Sequence, residues 1–236
     1  MNIALIGYGK MGKAIERVAV DSGHSISCII QPDDELSKLL NSEIDLAIEF
    51  TQPESAFENL SYCIENDIPV ISGTTGWLEQ LNEIEQLCQN RNGTFLYASN
   101  FSIGVNLFFE LNNWLAGKMA QLNFNPSILE VHHTEKKDSP SGTAITLAEG
   151  IISSNPIIDG WINEESTDHK KLGIVSERKP NVPGTHTVSY TSSFESIDIT
   201  HTAHDRSVFA QGVVKVGEWI HKKKGVFTMS DFINNK

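Results

Sequence analysis

The sequence predicts an α/β fold: a Rossmann-like, doubly wound parallel sheet at the N-terminus, followed by a second domain of α+β type. Three observations carry this. Five short apolar runs alternate with longer amphipathic ones between Asn2 and Ser99. A G-x-G-x-x-G motif, Gly7, Gly9 and Gly12, follows the first run directly. After about Phe101 the rhythm changes, and from Gly173 the chain offers alternating segments rich in β-branched residues. Strands that are apolar nearly throughout and separated by helices belong to a parallel sheet covered on both faces. Alternating ones belong to an antiparallel sheet with one covered face.

"NIALIG" is the first strand, and Lys10 to Asp21 the first helix, with Met11, Ile15, Val18 and Ala19 on one face. "SISCII" and "IDLAIEF" are the second and third strands. Gln52 to Asn66 is helical, with Pro53 in the first turn, where its missing N–H breaks no helical bond. "IPVIS" is the fourth strand, Trp77 to Asn90 a helix, and "TFLYA" the fifth strand. "GVNLFFELNNWLAGKMAQL" then reads as one long amphipathic helix, "SILEVHH" as a strand, and "SGTAITLAEGIIS" as a helix. Three further strands, "GIVSE", "THTVSYTS" and "ESIDITHTA", read as antiparallel neighbours turned at "NVPG" and "SSFE". Asp159 to Gly173 reads as a polar loop, and Val208 to Lys222 as a helix returning to the first domain. The expected domains are residues 1–101 with 208–236, and residues 102–207.

The bulk numbers narrow the function. Of 236 residues, 39% are hydrophobic and 20% charged, the make-up of a soluble globular chain with ample core. Thirty acidic residues against eighteen Lys plus Arg give a net charge of −12. That argues against nucleic acid and anionic membrane as partners, since either needs a basic face to displace counterions. A small anionic ligand would need a local positive site. Cys28, Cys63 and Cys88 are odd in number, far apart and without C-x-x-C spacing, which argues for a reducing, cytoplasmic setting. The N-terminus lacks the features of a signal peptide, and no apolar run approaches the roughly 20 residues of a membrane span.

The glycine motif sits between a strand and a helix, the context that gives it meaning. Gly7 permits the tight turn, Gly9 lets a pyrophosphate approach the backbone, and Gly12 lets helix and strand pack closely. The phosphate would rest on the N–H groups at the helix start. At the end of the second strand, "IIQPDDE" places Gln31, Asp33 and Asp34 where the adenosine ribose is normally read. A carboxylate there accepts from ribose hydroxyls and repels a 2′-phosphate. No arginine is adjacent, though Lys38 is within reach, and the same residues also suit a solvated turn. "SGTTGW" and "ASNFSIGVN" follow the fourth and fifth strands, at the edge where open α/β sheets bind ligands. Gly73, Thr74, Thr75, Ser99 and Asn100 are small or polar enough to approach a nicotinamide ring.

"EVHHTEKKDSPSGTA" gathers His132, His133 and Lys136 just before a capped helix start, with Ser141 the candidate N-cap. Imidazoles and an ammonium supply proton donors and positive charge. The N–H groups of Gly142 and Thr143 point at whatever precedes the helix, which together makes a carboxylate site. A lone histidine is most often structural, but that reading does not explain the cluster. His201 and His204, as H-x-x-H, face opposite sides of a strand and lack a third ligand, so no metal is expected.

Seven runs in order, "GYGKMG", "EFTQPES", "GTTGW", "ASNFSIGVN", "EVHHTEKKDSPSGTA", "VPGTHTVSY" and "ITHTAHDRSVFAQG", resemble the 4-hydroxy-tetrahydrodipicolinate reductases of bacterial lysine and diaminopimelate biosynthesis. The resemblance implies an N-terminal domain that binds NADH or NADPH. It implies a second domain that binds a small cyclic dicarboxylate and forms a homotetramer. By motif position it makes His132 the catalytic acid/base and Lys136 the proton donor, with His133, Gly142 and Thr143 binding substrate. Gly7, Tyr8, Gly9, Lys10, Met11 and Gly12, then Gly73, Thr74 and Thr75, then Ala98, Ser99, Asn100 and Phe101 would contact the cofactor. Two departures bear on cofactor choice: a glycine loop one residue shorter than in many members, and Gln31 where an acidic residue often stands.

Two other readings compete. A different NAD(P)-dependent enzyme of amino-acid metabolism, such as an aspartate or homoserine dehydrogenase, would share the first domain but does not need the HH-x-x-K cluster beside SGT. A nucleotide-sensing protein without catalysis would need neither His132 nor Lys136.

Overall fold

The computed structural model describes residues 1–205 and 207–235; Arg206, inside the "ITHTAHDRSVFAQG" run, and Lys236 lie outside the described residues. The chain divides into two compact units, Met1–Ile103 with Ser207–Lys236, and Gly104–Arg206.

In the first unit each apolar run is a strand: β1 (Asn2–Ile6), β2 (Ser25–Ile30), β3 (Leu46–Glu49), β4 (Val70–Ser72) and β5 (Thr94–Tyr97). Between and after them run α1 (Lys10–Asp21), α2 (Pro53–Glu65), α3 (Leu81–Asn90) and α6 (Ser207–Ile220). A short strand after α6, β11 (Gly225–Phe227), and the small helix α7 (Met229–Ile233) complete the unit. The sheet is wholly parallel, in the order β11-β5-β4-β3-β1-β2. Alternate strand residues feed two cores. Ile3, Leu5, Ile48 and Ile71 pack with Ile15 of α1 and Val213 of α6. Ala4, Ile6, Val70 and Phe95 pack with Leu60 of α2 and Ile84 of α3. This is why the central runs are apolar without alternation: β1, β3, β4 and β5 are covered on both faces, whereas the edge strand β2 leaves Ser25 and Ser27 exposed. The order reverses between β1 and β3, the switch point beside which such sheets open a crevice.

The second unit holds α4 (Ile103–Met119), β6 (Asn125–His132), α5 (Gly142–Ser154), β7 (Gly160–Ile162), β8 (Lys171–Arg178), β9 (Gly184–Thr191) and β10 (Ser196–Ala203). Its sheet is mixed, in the order β10-β9-β6-β8-β7. The expected antiparallel succession of the last three strands holds for β9 and β10 alone. β6 inserts between β8 and β9, parallel to the first and antiparallel to the second. The reason is burial: β6 carries Ile128, Glu130 and His132 on its inner face, and only a central position gives all three neighbours on both edges. The expected polar loop contains β7, whose Trp161 packs against the core formed by α4, α5 and the sheet. Phe108, Leu115, Leu147, Ile151, Ile174 and Tyr190 belong to that core. Among the described residues no helix is long and apolar enough to cross a membrane.

Candidate active site

At the end of β1 the chain turns through Gly7, whose φ of +93° suits glycine, and a side chain there would run into the Phe50 carbonyl. A Cβ at Gly12 would likewise meet the Gly7 carbonyl, so α1 lies against the loop only because both are glycine. Gly9 caps α1 with extended backbone and no side-chain bond, leaving the helix start open to an anion. Lys10 is exposed and Met11 half-buried beyond it. Tyr8 donates its hydroxyl to Glu16, which fixes the loop's only aromatic ring. A crevice of about 890 Å³ opens here, between the ends of β1 and β3, lined by Gly7, Tyr8, Gly9, Gln31, Asp34 and Thr51 among others. A glycine-lined cradle on a helix start at the switch point fits a dinucleotide.

Among the described residues no arginine or lysine lines the crevice, whereas Asp34, Glu35 and Glu58 do. Lys38 is paired with Asp34, which also accepts from the Gln31 N–H at 3.0 Å. That hydrogen bond from Lys38, followed by the one from Gln31, holds the Asp34 carboxyl below its ordinary range.

Glu49, which the sequence did not single out, anchors the neighbouring loops. It is fully buried and accepts from the Thr51 N–H at 3.1 Å, the Ser72 hydroxyl at 2.6 Å, the Thr74 hydroxyl at 2.9 Å and the Thr51 hydroxyl. Thr74 is therefore turned inward, its carbonyl accepting from the Trp77 indole N–H at 2.7 Å, while Thr75 is exposed. Gly73 lies against the Phe50 ring, with no room for a Cβ. In the loop after β5, Ala98 and Phe101 are buried, Ser99 is exposed, and Asn100 accepts from the Ser102 N–H at 2.8 Å.

The second unit builds its site around Glu130, buried at 0% exposure on the inner face of β6. The Ser141 N–H donates to both its oxygens at 3.1 Å, and the Ser176 hydroxyl donates at 2.8 Å. His132 Nδ1 and His186 Nε2 each lie 3.5 Å from Oε2, and Arg178 Nη1 lies 3.6 Å from Oε1. Burial alone would raise this carboxyl, but hydrogen bonds from His186, Ser141 and Ser176 and the proximity of His132 outweigh it and hold Glu130 at about 2. His132 is 7% exposed, its ring 4.9 Å from that of His186. Burial, then repulsion from His186, lowers its imidazole to about 4, against the pull of Glu130.

Ser141 is the N-cap of α5, accepting from the Ala144 N–H at 3.2 Å, and its hydroxyl meets His186 Nε2 at 3.1 Å. Gly142 is exposed and Thr143 half-buried at the helix start. Lys136 bonds both oxygens of Asp138, at 2.8 and 2.7 Å. Arg178 reaches the same loop, donating to the Asp138 carbonyl at 2.7 Å and the Lys136 carbonyl at 3.4 Å. His133, Thr134 and Glu135 line a cavity of about 340 Å³ with residues 180–183. The structure thus brings Glu130, His132, Lys136, Ser141 and Arg178 into one connected group. Glu130, His186, Ser176 and Arg178 were not singled out by sequence reasoning; only the fixed spacing of E-x-H-H hinted at the first.

Ligand-type atoms of Glu130, His132 and His186 lie within 4.8 Å of one another. Both carboxylate oxygens already accept from the Ser141 N–H, and Oε1 from the Ser176 hydroxyl as well. His201 stacks on Phe108 with ring centroids 6.3 Å apart, and burial lowers its imidazole; His204 is exposed past the end of β10.

Residues 1–101 match the family model for dihydrodipicolinate reductase, N-terminus, and residues 104–233 that for dihydrodipicolinate reductase, C-terminus. A 4-hydroxy-tetrahydrodipicolinate reductase of Christiangramia forsetii is 48% identical over 236 residues, covering 100% of this chain and 98% of that one. One from Campylobacter jejuni subsp. jejuni is 33% identical over 238 residues, covering 95% of each chain. The solved structure of dipicolinate-bound dihydrodipicolinate reductase from Paenisporosarcina sp. TG-14 has the same fold, with a TM-score of 0.82 at 23% identity over 97% of both chains. The chain belongs to the dihydrodipicolinate reductase family.

Proposed function

We propose that this chain reduces 4-hydroxy-tetrahydrodipicolinate to tetrahydrodipicolinate, a step of lysine and diaminopimelate biosynthesis, with a nicotinamide dinucleotide as reductant. One observation carries the reading beyond family membership: a buried imidazole, His132, stands 3.5 Å from a buried carboxylate, Glu130, that also meets a helix start and Arg178, with the Lys136 ammonium on the adjoining loop. A cyclic dicarboxylate needs that combination, fixed positive charge for its carboxylates and a proton donor beside its ring.

The Gly7–Gly12 loop would hold the pyrophosphate, with Gln31 and Asp34 toward the adenosine ribose. The dinucleotide, when bound, supplies a hydride. Gly142 and Thr143 receive a substrate carboxylate through backbone N–H groups and the Thr143 hydroxyl, and His133 contributes from the loop. His132 is neutral at neutral pH, because burial holds it at about 4. Two carboxylates arriving nearby raise its proton affinity, so its acid form arises with the substrate bound. Lys136, released from Asp138 by a competing anion, is the second donor.

The acidic crevice lining, and the pairing of Lys38 with Asp34, support NADH being used at least as well as NADPH. A homotetramer is supported by the outward face of the second sheet, where Leu129 is 36% exposed beside Val131 and Val175. The free cysteines are consistent with a cytoplasmic location. The test is NAD(P)H oxidation with freshly generated substrate, in the presence and absence of pyridine-2,6-dicarboxylate. Turnover that this planar dicarboxylate inhibits competitively against substrate is expected. No turnover, or competition with the nucleotide instead, overturns the assignment.

A further inference from the structure

Glu130 takes no direct part in the reaction as read above, yet more of the second site converges on it than on any other side chain. It is fully buried, and its neighbours arrive from four places: His132 on its own strand, Ser141 at the start of α5, Ser176 and Arg178 on β8, and His186 on β9. The Nδ1 atoms of His132 and His186 are both buried without a hydrogen-bond partner at normal length. The nearest carboxylate to His132 Nδ1 is Glu130, at 3.5 Å. The opposite edge of the His132 ring faces β9. A Cβ placed on Gly184 would sit 3.1 Å from Nε2 and 3.2 Å from Cδ2, so only glycine leaves Nε2 uncovered there.

We propose that Glu130 is the positioning residue of this site: its carboxylate takes the Nδ1–H of His132, which fixes the ring tautomer and leaves Nε2 for the substrate, while the Ser141 bond holds the carboxylate-receiving helix start in register with that ring. The physical case is one of cost. A buried carboxylate is stable only when donors satisfy it, and the donors here come from every element that frames the site. An ionised group beside Nδ1 also stabilises the imidazolium that forms when His132 carries its proton, the role a carboxylate plays toward a histidine in other enzymes. The 3.5 Å separation suits a ring that is neutral at rest; such bonds tighten when the ring becomes charged.

The inference rests on the reading of His132 as a proton-handling residue, and the experiment separates the two. Glu130→Gln keeps an acceptor for the Ser141 N–H but removes the charge. Expected is a fall in kcat of at least about tenfold, with the inhibition constant of pyridine-2,6-dicarboxylate within about threefold of wild type and a cooperative melting transition at pH 8, its midpoint lowered by loss of the buried charge. The pH profile of kcat is the readout that a structural role would not move. His132 is faced by Glu130, His186, Lys136 and Arg178, and removing the one anion among them should shift its titration to lower pH.

If Glu130→Gln does not fold, Gly184→Ala tests the arrangement from the other edge. It should keep its melting midpoint and lose turnover by covering Nε2. Wild-type kcat and pH profile in Glu130→Gln, or wild-type kcat in a folded Gly184→Ala, overturns the inference. His132→Gln is the reference. Should it retain turnover, the reading of His132 fails whatever Glu130 does; should it lose turnover while Glu130→Gln is wild type, only the inference about Glu130 fails.

Discussion

His132 and Glu130 are two titratable groups whose environments push them in ways that stability measurements can detect. Burial holds the His132 imidazole at about 4 against an ordinary 6.5, so the folded protein binds that proton less tightly than the unfolded chain does. Stability from this group is full above about pH 6.5 and is lost as pH falls toward 4, by about 3 kcal/mol at most. Glu130, held at about 2 against 4.5, adds a loss between those two values. Melting curves across pH should therefore show wild type weakening below pH 6.5. His132→Gln should fall less steeply between 6.5 and 4; parallel curves would contradict the burial account. In kinetics, His132→Gln and Lys136→Met should each lower kcat by about 10²–10⁴, with cofactor affinity and the midpoint at neutral pH near wild type. Near-normal turnover, or loss through unfolding, would count against their assigned roles.

Among the elements, the loops after β1, β2 and β3 line the crevice proposed for the nucleotide, and the loops after β1, β3 and β4 are each held by a different device. Gly7 works through backbone conformation, Gly12 through close approach, and Glu49 through a buried carboxylate that ties Thr51, Ser72 and Thr74 together. Glu49→Ala removes the acceptor of the buried Ser72 and Thr74 hydroxyls and should cost about 1–3 kcal/mol in chemical denaturation. It should also raise the KM for nicotinamide dinucleotide more than that for substrate, because the loops it ties belong to the first unit. An equal rise in both would show that Glu49 acts on stability alone. On the proposed reading the same crevice selects between NADH and NADPH. Asp34, Glu35 and Glu58 line it, and Lys38 is occupied by Asp34. The ratio of kcat/KM for NADH over NADPH should be one or more. A preference for NADPH beyond about tenfold, roughly 1.4 kcal/mol, would refute this.

For the whole molecule, the unresolved demand is the outward face of the second sheet. Leu129, Val131 and Val175 stand beside a ladder of threonines, Thr185 with Thr202 and Thr187 with Thr200, on strands whose other face is the core. An open sheet face of this kind, part apolar and part hydroxyl, suits burial against another copy better than permanent exposure. Sedimentation should give about four times the 26.1 kDa chain mass, and Leu129→Glu should dissociate the assembly. A monodisperse single chain in wild type would refute the homotetramer.

The sequence by itself determined the doubly wound first sheet, the position of the glycine turn and the capped start of α5. Each rests on a local signal: apolar runs of strand length, three glycines within six positions, and a serine three residues before the N–H it caps. It also displayed His132, His133 and Lys136, because charged and titratable residues crowded into one loop are visible without a fold. What it did not reveal was the order of the second sheet. Strands next to one another in sequence usually pair, and here β6 displaces β8 from β9 because its inner face needs neighbours on both edges. Nor did it reveal Glu49, Glu130, Ser176, Arg178 or His186 as members of a site. A carboxylate looks the same in sequence whether it is solvated or buried. Only the tertiary structure, by bringing Ser176 from 46 residues away and His186 from the next strand, decides that Glu130 can stay ionised inside the protein.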